Sequence, residues 1–247
     1  MIFKSKPLFA IFSLLLLSLK VWAEDLTELL FLQGNEAFAK QDYPKAIQRY
    51  QQIIQQNENS SSLHFNLGNT YFQVKQFGQA ALHYEKSLAI KPNNKDAKVN
   101  LLLARKAAGL DIEKPTLKEN FIHALSISSW FFLVSLAFWA LLIVWIVHRF
   151  FTIRPILLKI VTPPLFLTLF LASAAILLSH SQSTRALAII DETALRIAPA
   201  NSSEATLYLS QAEEVSVLKT YENFLLCETK SGIRGWANAQ NIGKIWD

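Results

Sequence analysis

A single cysteine, Cys227, rules out an intramolecular disulfide, and its place in the apolar run FLLCET points to burial as a small hydrophobe. No G-x-x-x-x-G-K-[ST], G-x-G-x-x-G or H-E-x-x-H occurs, which removes the P-loop, dinucleotide-binding and zincin classes. The five histidines, at 64, 83, 123, 148 and 180, have no metal-ligand spacing, so no metal or cofactor is expected. No histidine follows Cys227, which argues against a Cys–His peptidase. Asp191-Glu192 and Glu213-Glu214 read as solvated turns rather than acid/base pairs. The expectation is a protein that is not an enzyme.

Charge is also missing in places. From Ala124 to Val147, and again from Ile160 to Leu178, there is no Lys, Arg, Asp or Glu. Each run is long enough to cross the roughly 30 Å hydrocarbon core of a bilayer as a helix. The short connection between them carries Arg149, Arg154 and Lys159 and no acid, which predicts a cytoplasmic turn. A transmembrane hairpin is expected, with helices at 124–147 and 160–180 joined by a loop at 148–159. Pro163 and Pro164 are expected near the start of the second helix. The spans hold no ionisable group of the kind that pumps and ion pathways need.

No acid precedes Glu24, while Lys4 and Lys6 flank an apolar run from Leu8 to Leu19. That is a secretory signal peptide pattern over 1–23, with cleavage expected after Ala23. Formal net charge is +5 over the whole chain, and removing Lys4, Lys6 and Lys20 lowers it to about +2. The basic balance therefore reflects targeting and topology, and no nucleic-acid partner is expected.

The chain repeats itself with a period of about 34 residues. Phe31 pairs with Phe65, Gly34 with Gly68, Asn35 with Asn69, Phe38 with Phe72, Ala46 with Ala80 and Tyr50 with Tyr84. These residues resemble tetratricopeptide (TPR) repeats, at about 27–60 and 61–94, with Pro92 where the pattern has proline. A further helix over 93–108, ending at Gly109, reads as a cap, giving a repeat domain over 24–110. The resemblance implies a concave face that binds a partner, with Phe31, Asn35, Phe38, Phe65, Asn66, Asn69 and Phe72 on it. The asparagines would meet a ligand's backbone and the phenylalanines would offer apolar contact. Phe31, Asp96 and Asn100 stand where a carboxylate-clamp groove carries basic residues, so that variety is not expected. A polar link over 111–123 contains Pro115 and a T-L-K-E capping box from Thr116.

After residue 184 short apolar runs alternate with polar turns, the texture of a small all-β domain over 184–247. Leu195-Arg196 with Pro199, Glu214-Val215, Val217, Phe224, Gly232 and Gly235-Trp236 resemble a bacterial SH3-like barrel. Ala212-Glu213 stands where that pattern has a glycine turn. The resemblance makes Tyr221, Phe224 and Trp236 candidate surface aromatics, against the alternative that Phe224 and Trp236 fill the core.

The whole order, a leader, TPR repeats, two membrane helices and an SH3-like domain, is similar to the BatE-type component of bacterial Bat (aerotolerance) systems. That resemblance implies a multi-pass inner-membrane scaffold with both soluble parts in the periplasm. Its partners would be von Willebrand A-domain membrane proteins and, indirectly, a MoxR-type ATPase. The alternative is a membrane protein that grips peptidoglycan through the SH3-like domain.

Overall fold

The computed structural model describes residues 26–111, 121, 125, 127–151, 155–180 and 184–246. The leader at 1–23, the capping box from Thr116 and the loop residue Arg154 lie outside the described residues.

Five helices come first: α1 over 26–39, α2 over Tyr43–Gln55, α3 over Ser61–Gln73, α4 over Phe77–Ile90 and α5 over Lys95–Ala107. Polar side chains start three of them. Asp42, Ser60 and Asn94 accept the backbone N–H groups of Lys45, Leu63 and Ala97, each satisfying a donor that the first turn would leave unpaired. The turns repeat as the sequence does. Gln41 and Lys75, one repeat apart, both take φ near +60°, and the next residue's N–H closes back on the helix in each case (Asp42 to Ala37 O, Gln76 to Tyr71 O). This is the Schellman closure, here without its usual glycine.

Within each unit a glycine lets the two helices meet. A Cβ on Gly34 would lie 2.5 Å from Tyr50 Cε1, and one on Gly68 would lie 2.8 Å from Tyr84 Cδ1. The small Ala46 and Ala80 are fully buried beside them, so close-packed interiors follow from small residues set opposite tyrosines.

Helices α6 (Ile127–Phe150) and α7 (Pro155–His180) form an antiparallel pair in which Trp130, at the start of one, packs on Ala172 and Ala175, near the end of the other. Stretches of 23 residues in each, Ser128–Phe150 and Ile156–Leu178, are long and apolar enough to cross a membrane. Their outer faces expose large apolar side chains such as Phe132, Trp145, Phe170 and Leu177. Helix α7 begins earlier than the charge pattern indicated. Lys159 lies inside it, and Pro163 and Pro164 fall in its interior instead of its first turn. Thr162 and Thr168 donate to the carbonyls of Leu158 and Pro164.

The C-terminal part is an antiparallel sheet of seven strands, β1 (Arg185–Ala188), β2 (Thr193–Arg196), β3 (Ala205–Leu209), β4 (Glu214–Tyr221), β5 (Phe224–Thr229), β6 (Arg234–Asn238) and β7 (Ile242–Lys244). They run in the order β3-β2-β6-β5-β4-β1-β7. The expected barrel is not closed: β3 and β7 are the two edges and do not pair. Instead α4 packs on the face of β1 and β7, where Gly243, opposite Leu187 in register, meets the side chain of Leu82. Ala212 occupies the turn where the barrel pattern has glycine, at φ +64°, buried, with its N–H on Ala188 O at 2.7 Å. Leu195, Leu209, Val215, Leu225, Cys227 and Ile242 form the sheet's own core.

A second core joins the sheet to the repeats. Leu187, Ala212 and Ile245 belong to the same buried cluster as Leu82, Leu88 and Leu101. Strand β1 serves both cores, because alternate side chains point to opposite faces: Leu187 goes to the repeats, and Ala186 and Ala188 go to the sheet interior.

Candidate functional site

The first helices of the units, α1, α3 and α5, line the concave side of the repeats. Phe38, Asn69, Phe72, Gln73, Tyr84, Asn100 and Leu103 surround a cleft of about 310 Å³ there. Phe31 lines a separate cleft of about 350 Å³ with Ile53, Leu63, Glu28 and Glu58. Of the expected groove residues, Phe38, Asn69 and Phe72 line the first of these clefts and Phe31 the second, while Asn35, Phe65 and Asn66 line neither of the two.

The asparagines are internally engaged. Asn35 Oδ1 accepts from the Tyr50 hydroxyl at 2.8 Å and from Asn66 Nδ2 at 2.9 Å. One repeat later, Asn69 Oδ1 accepts from the Tyr84 hydroxyl at 2.8 Å and from Asn100 Nδ2 at 2.9 Å. The carboxamide oxygens therefore tie each first helix to its own second helix and to the next unit. What they leave for a ligand is the amide donor of Asn35 and of Asn69. Burial pushes the Tyr50 phenol up to about 12 and raises that of Tyr84 further, so both remain donors throughout the physiological range.

The four phenylalanines are half-buried, each against a ring of its own unit. Phe31 packs on Tyr50 (6.0 Å), Phe65 on Tyr84 (6.1 Å), Phe38 on Tyr43 (5.7 Å) and Phe72 on Phe77 (5.4 Å). Phe38 and Phe72 also line the first cleft, and Phe31 the second. The sequence expectation left out Leu103 and gave Asn100 only as a place where a clamp's basic residue is missing. The signal was the period itself, since they stand one full repeat after Asn66 and Asn69.

Repeat two also buries a pair of histidines. His64 and His83 stack with Nδ1 atoms 3.0 Å apart, and Tyr71 stacks on His83 at 5.4 Å. Asn59 Oδ1 sits 3.2 Å from His64 Nε2 and can only accept, so that nitrogen carries the proton. His64 Nδ1 then accepts from His83 Nδ1–H. Burial, with His64 and Lys86 close by, holds His83 well below its ordinary value.

On the sheet, Tyr221 is exposed and stands edge-on to half-buried Trp236, ring centroids 6.3 Å apart. Phe224 is buried, and so is Cys227, whose thiol burial pushes up to about 12.

A polar junction that sequence reading did not anticipate lies between repeats and sheet. Glu85 on α4 takes Arg105 of α5 at 2.9 Å and Arg185 of β1 at 3.3 Å. Glu214 of β4 binds the same two arginines, with Arg105 at 3.6 Å, and has Lys230 at 3.8 Å. The four residues close a ring of alternating charge that is mostly removed from water. Burial alone would raise the Glu214 carboxyl, but Arg185, Arg105 and Lys230 outweigh it and hold that group below its ordinary value. Beside the ring, the Gly78 N–H donates to Gln211 at 3.2 Å, and a Cβ on Gly78 would lie 2.5 Å from the Ile189 carbonyl oxygen. The docking face of α4 was legible as a difference between repeats. Gly78, Leu82 and Glu85 stand where α2, one repeat earlier, has Pro44, Gln48 and Gln51.

Models of the tetratricopeptide repeat match residues 34–75 and 61–94, so the chain carries TPR repeats over 34–94, a family that generally mediates protein–protein interaction. Among solved structures, the TPR domain of Arabidopsis OM64 is similar at 22% identity and a TM-score of 0.33, covering 35% of this chain and 78% of that one. No curated protein matches.

Proposed function

We propose that this chain is a non-enzymatic scaffold held in the bacterial inner membrane by the α6–α7 hairpin. Its TPR groove grips a protein partner in the periplasm, as part of a Bat-type envelope stress or aerotolerance system. The von Willebrand A-domain proteins of such systems are the partners this reading favours, with a MoxR-type ATPase acting through them.

The observation that carries the reading is the ring at the neck of the hairpin. The chain leaves the soluble body just after Arg105 and returns to it at Arg185, and both arginines hold Glu85 and Glu214. A body tied across its exit and return points keeps both ends of the hairpin on one side. Two helices of spanning length between those points fit a hairpin that crosses and comes back. The basic residues at the turn favour a cytoplasmic turn.

Two measurements on the full chain test the proposal. A reporter enzyme fused after Asp247 should be active only if exported; cytosolic activity would sink the arrangement. Affinity capture from solubilised envelopes should recover A-domain proteins with the unaltered chain, and at least tenfold less with Phe72→Ala/Leu103→Ala. Equal recovery by that variant would remove the groove from the account.

The Tyr221–Trp236 pair favours a second reading, peptidoglycan binding through the sheet domain, since exposed aromatics stack well on sugar and peptide. Sedimentation of the detergent-solubilised chain with purified sacculi, lost in Tyr221→Ala/Trp236→Ala, separates the two.

A further inference from the structure

The last helix of the repeats has an outer face that nothing described in the soluble body covers. On α5, Ala97, Leu101 and Ala104 are buried, while Val99, Leu102 and Leu103 are 55%, 39% and 49% exposed. Terminal helices of repeat arrays normally turn a polar face outward. The period shows what a second helix of the usual kind would meet on this face. Gly34 and Gly68 admit the tyrosines of their second helices, and the corresponding position in the next repeat is Leu102, whose side chain would block such an approach.

The same arc of α5 carries Lys95, Lys98 and Lys106, all exposed, against one acid, Asp96, at its margin. Arg105 is turned away into the charged ring. Val99 and Leu102 among three lysines combine the two contacts an interfacial helix makes, apolar insertion and attraction to anionic headgroups. The chain also holds α5 near such a surface. Arg185 follows His180, the last residue of α7, by five residues, at most about 18 Å of extended chain. Arg105 is fixed to the same carboxylate oxygen of Glu85 as Arg185.

We propose that the Lys95–Lys106 face of α5 docks on the anionic phospholipid headgroups beside the hairpin, pressing Val99 and Leu102 into the interface. The proposal rests on the reading of α6 and α7 as membrane spans. It fixes the attitude of the repeat groove to the bilayer, since Leu103, at the margin of this face, lines the groove cleft.

The test uses the full chain in nanodiscs, with Cys227→Ser and a nitroxide at Leu102→Cys or, separately, Val99→Cys. Phosphatidylglycerol-containing discs are compared with pure phosphatidylcholine. Each lysine near an anionic surface is worth about fivefold in the docking equilibrium, so three give roughly a hundredfold. The expected result is oxygen accessibility typical of the interface in phosphatidylglycerol discs. It should revert to an aqueous signal in phosphatidylcholine, in high salt and in the Lys95→Gln/Lys98→Gln/Lys106→Gln variant. An aqueous signal at both positions in phosphatidylglycerol discs overturns the proposal, and so does spin–spin broadening that shows a second copy on the face. A label at Phe138→Cys separates this failure from that of the hairpin reading. Hydrocarbon contact at 138 with water at 99 and 102 sinks the docking alone, whereas water at 138 sinks both.

Discussion

Arg105 and Arg185, on opposite sides of the hairpin in sequence, hold the same oxygen of Glu85 at 2.9 and 3.3 Å and share Glu214. The intervening chain contains both apolar helices, so this pairing closes the soluble body across an insertion. A ring of two cations and two anions leaves each charge with two opposite neighbours. That arrangement is what makes charges tolerable away from water, whereas removing one strands the others.

Arg185→Ala should therefore cost more than a surface ion pair would. With exposures of 8–22% around the ring, we expect a loss of about 2–3 kcal/mol in unfolding of the detergent-solubilised chain. Replacing all four ring residues by apolar residues of similar size should cost less than the single change. Equal losses would show that the ring acts only as surface charge.

The repeats and the two long apolar helices were legible because each rests on a pattern that repeats or persists: a fixed spacing in one, unbroken apolar runs in the other. The strand texture after residue 184 was legible for the same reason, as alternation. What the pattern could not show was how pieces meet. The closing of a barrel depends on whether β3 reaches β7, and here they stay separate edges while α4 packs on the face of β1 and β7 through Leu82. The period marked Asn35 and Asn69 as equivalent positions, but only the fold brings Tyr50, Asn66, Tyr84 and Asn100 to their oxygens.

Acid should loosen the dock. Glu214 titrates below its ordinary value of 4.5 in the folded chain, so its contribution is complete above that value. It is lost as pH falls from there through the folded value, because the unfolded chain takes up the proton first. In urea titrations from pH 6 downward, Glu214→Gln should show a shallower acid decline than the unaltered chain. Parallel curves would exclude Glu214 as the source.

The histidine pair makes a separate, earlier contribution. His83 is depressed from 6.5, so folded and unfolded chains are both neutral above that pH, and only the unfolded chain protonates just below it. Stability should fall by up to about 1.4 kcal/mol per pH unit below 6.5, until the folded value is reached. His83→Gln should remove that slope while leaving the Glu214 limb in place. A slope unchanged by the substitution would assign it elsewhere.

Gly78→Ala isolates the contact between α4 and the sheet from the charges. The new methyl would meet the Ile189 carbonyl oxygen at 2.5 Å, and backbone atoms cannot step aside as a side-chain end can. Helix propensity favours alanine by about 1 kcal/mol, and overpacking costs about 1–3 kcal/mol, so the net should be destabilising. Its signature is faster amide exchange in β7 and β1, with α2 and α3 unchanged.

Cys227 reports whether the dock and the sheet core open together. Its thiol is fully buried and pushed up to about 12, so almost none is thiolate at pH 8 and maleimide must wait for an opening. Strand β1 couples the two cores, with Leu187 on the repeats and Ala186 and Ala188 on the Cys227 side. Loosening the dock therefore loosens a strand that covers the thiol. Arg185→Ala should raise the labelling rate about tenfold for every ~1.4 kcal/mol it removes, as expected when opening precedes reaction. If labelling is unchanged while the unfolding midpoint falls, β1 stays with the sheet when the repeats detach, and the two cores are independent units joined only by the ring.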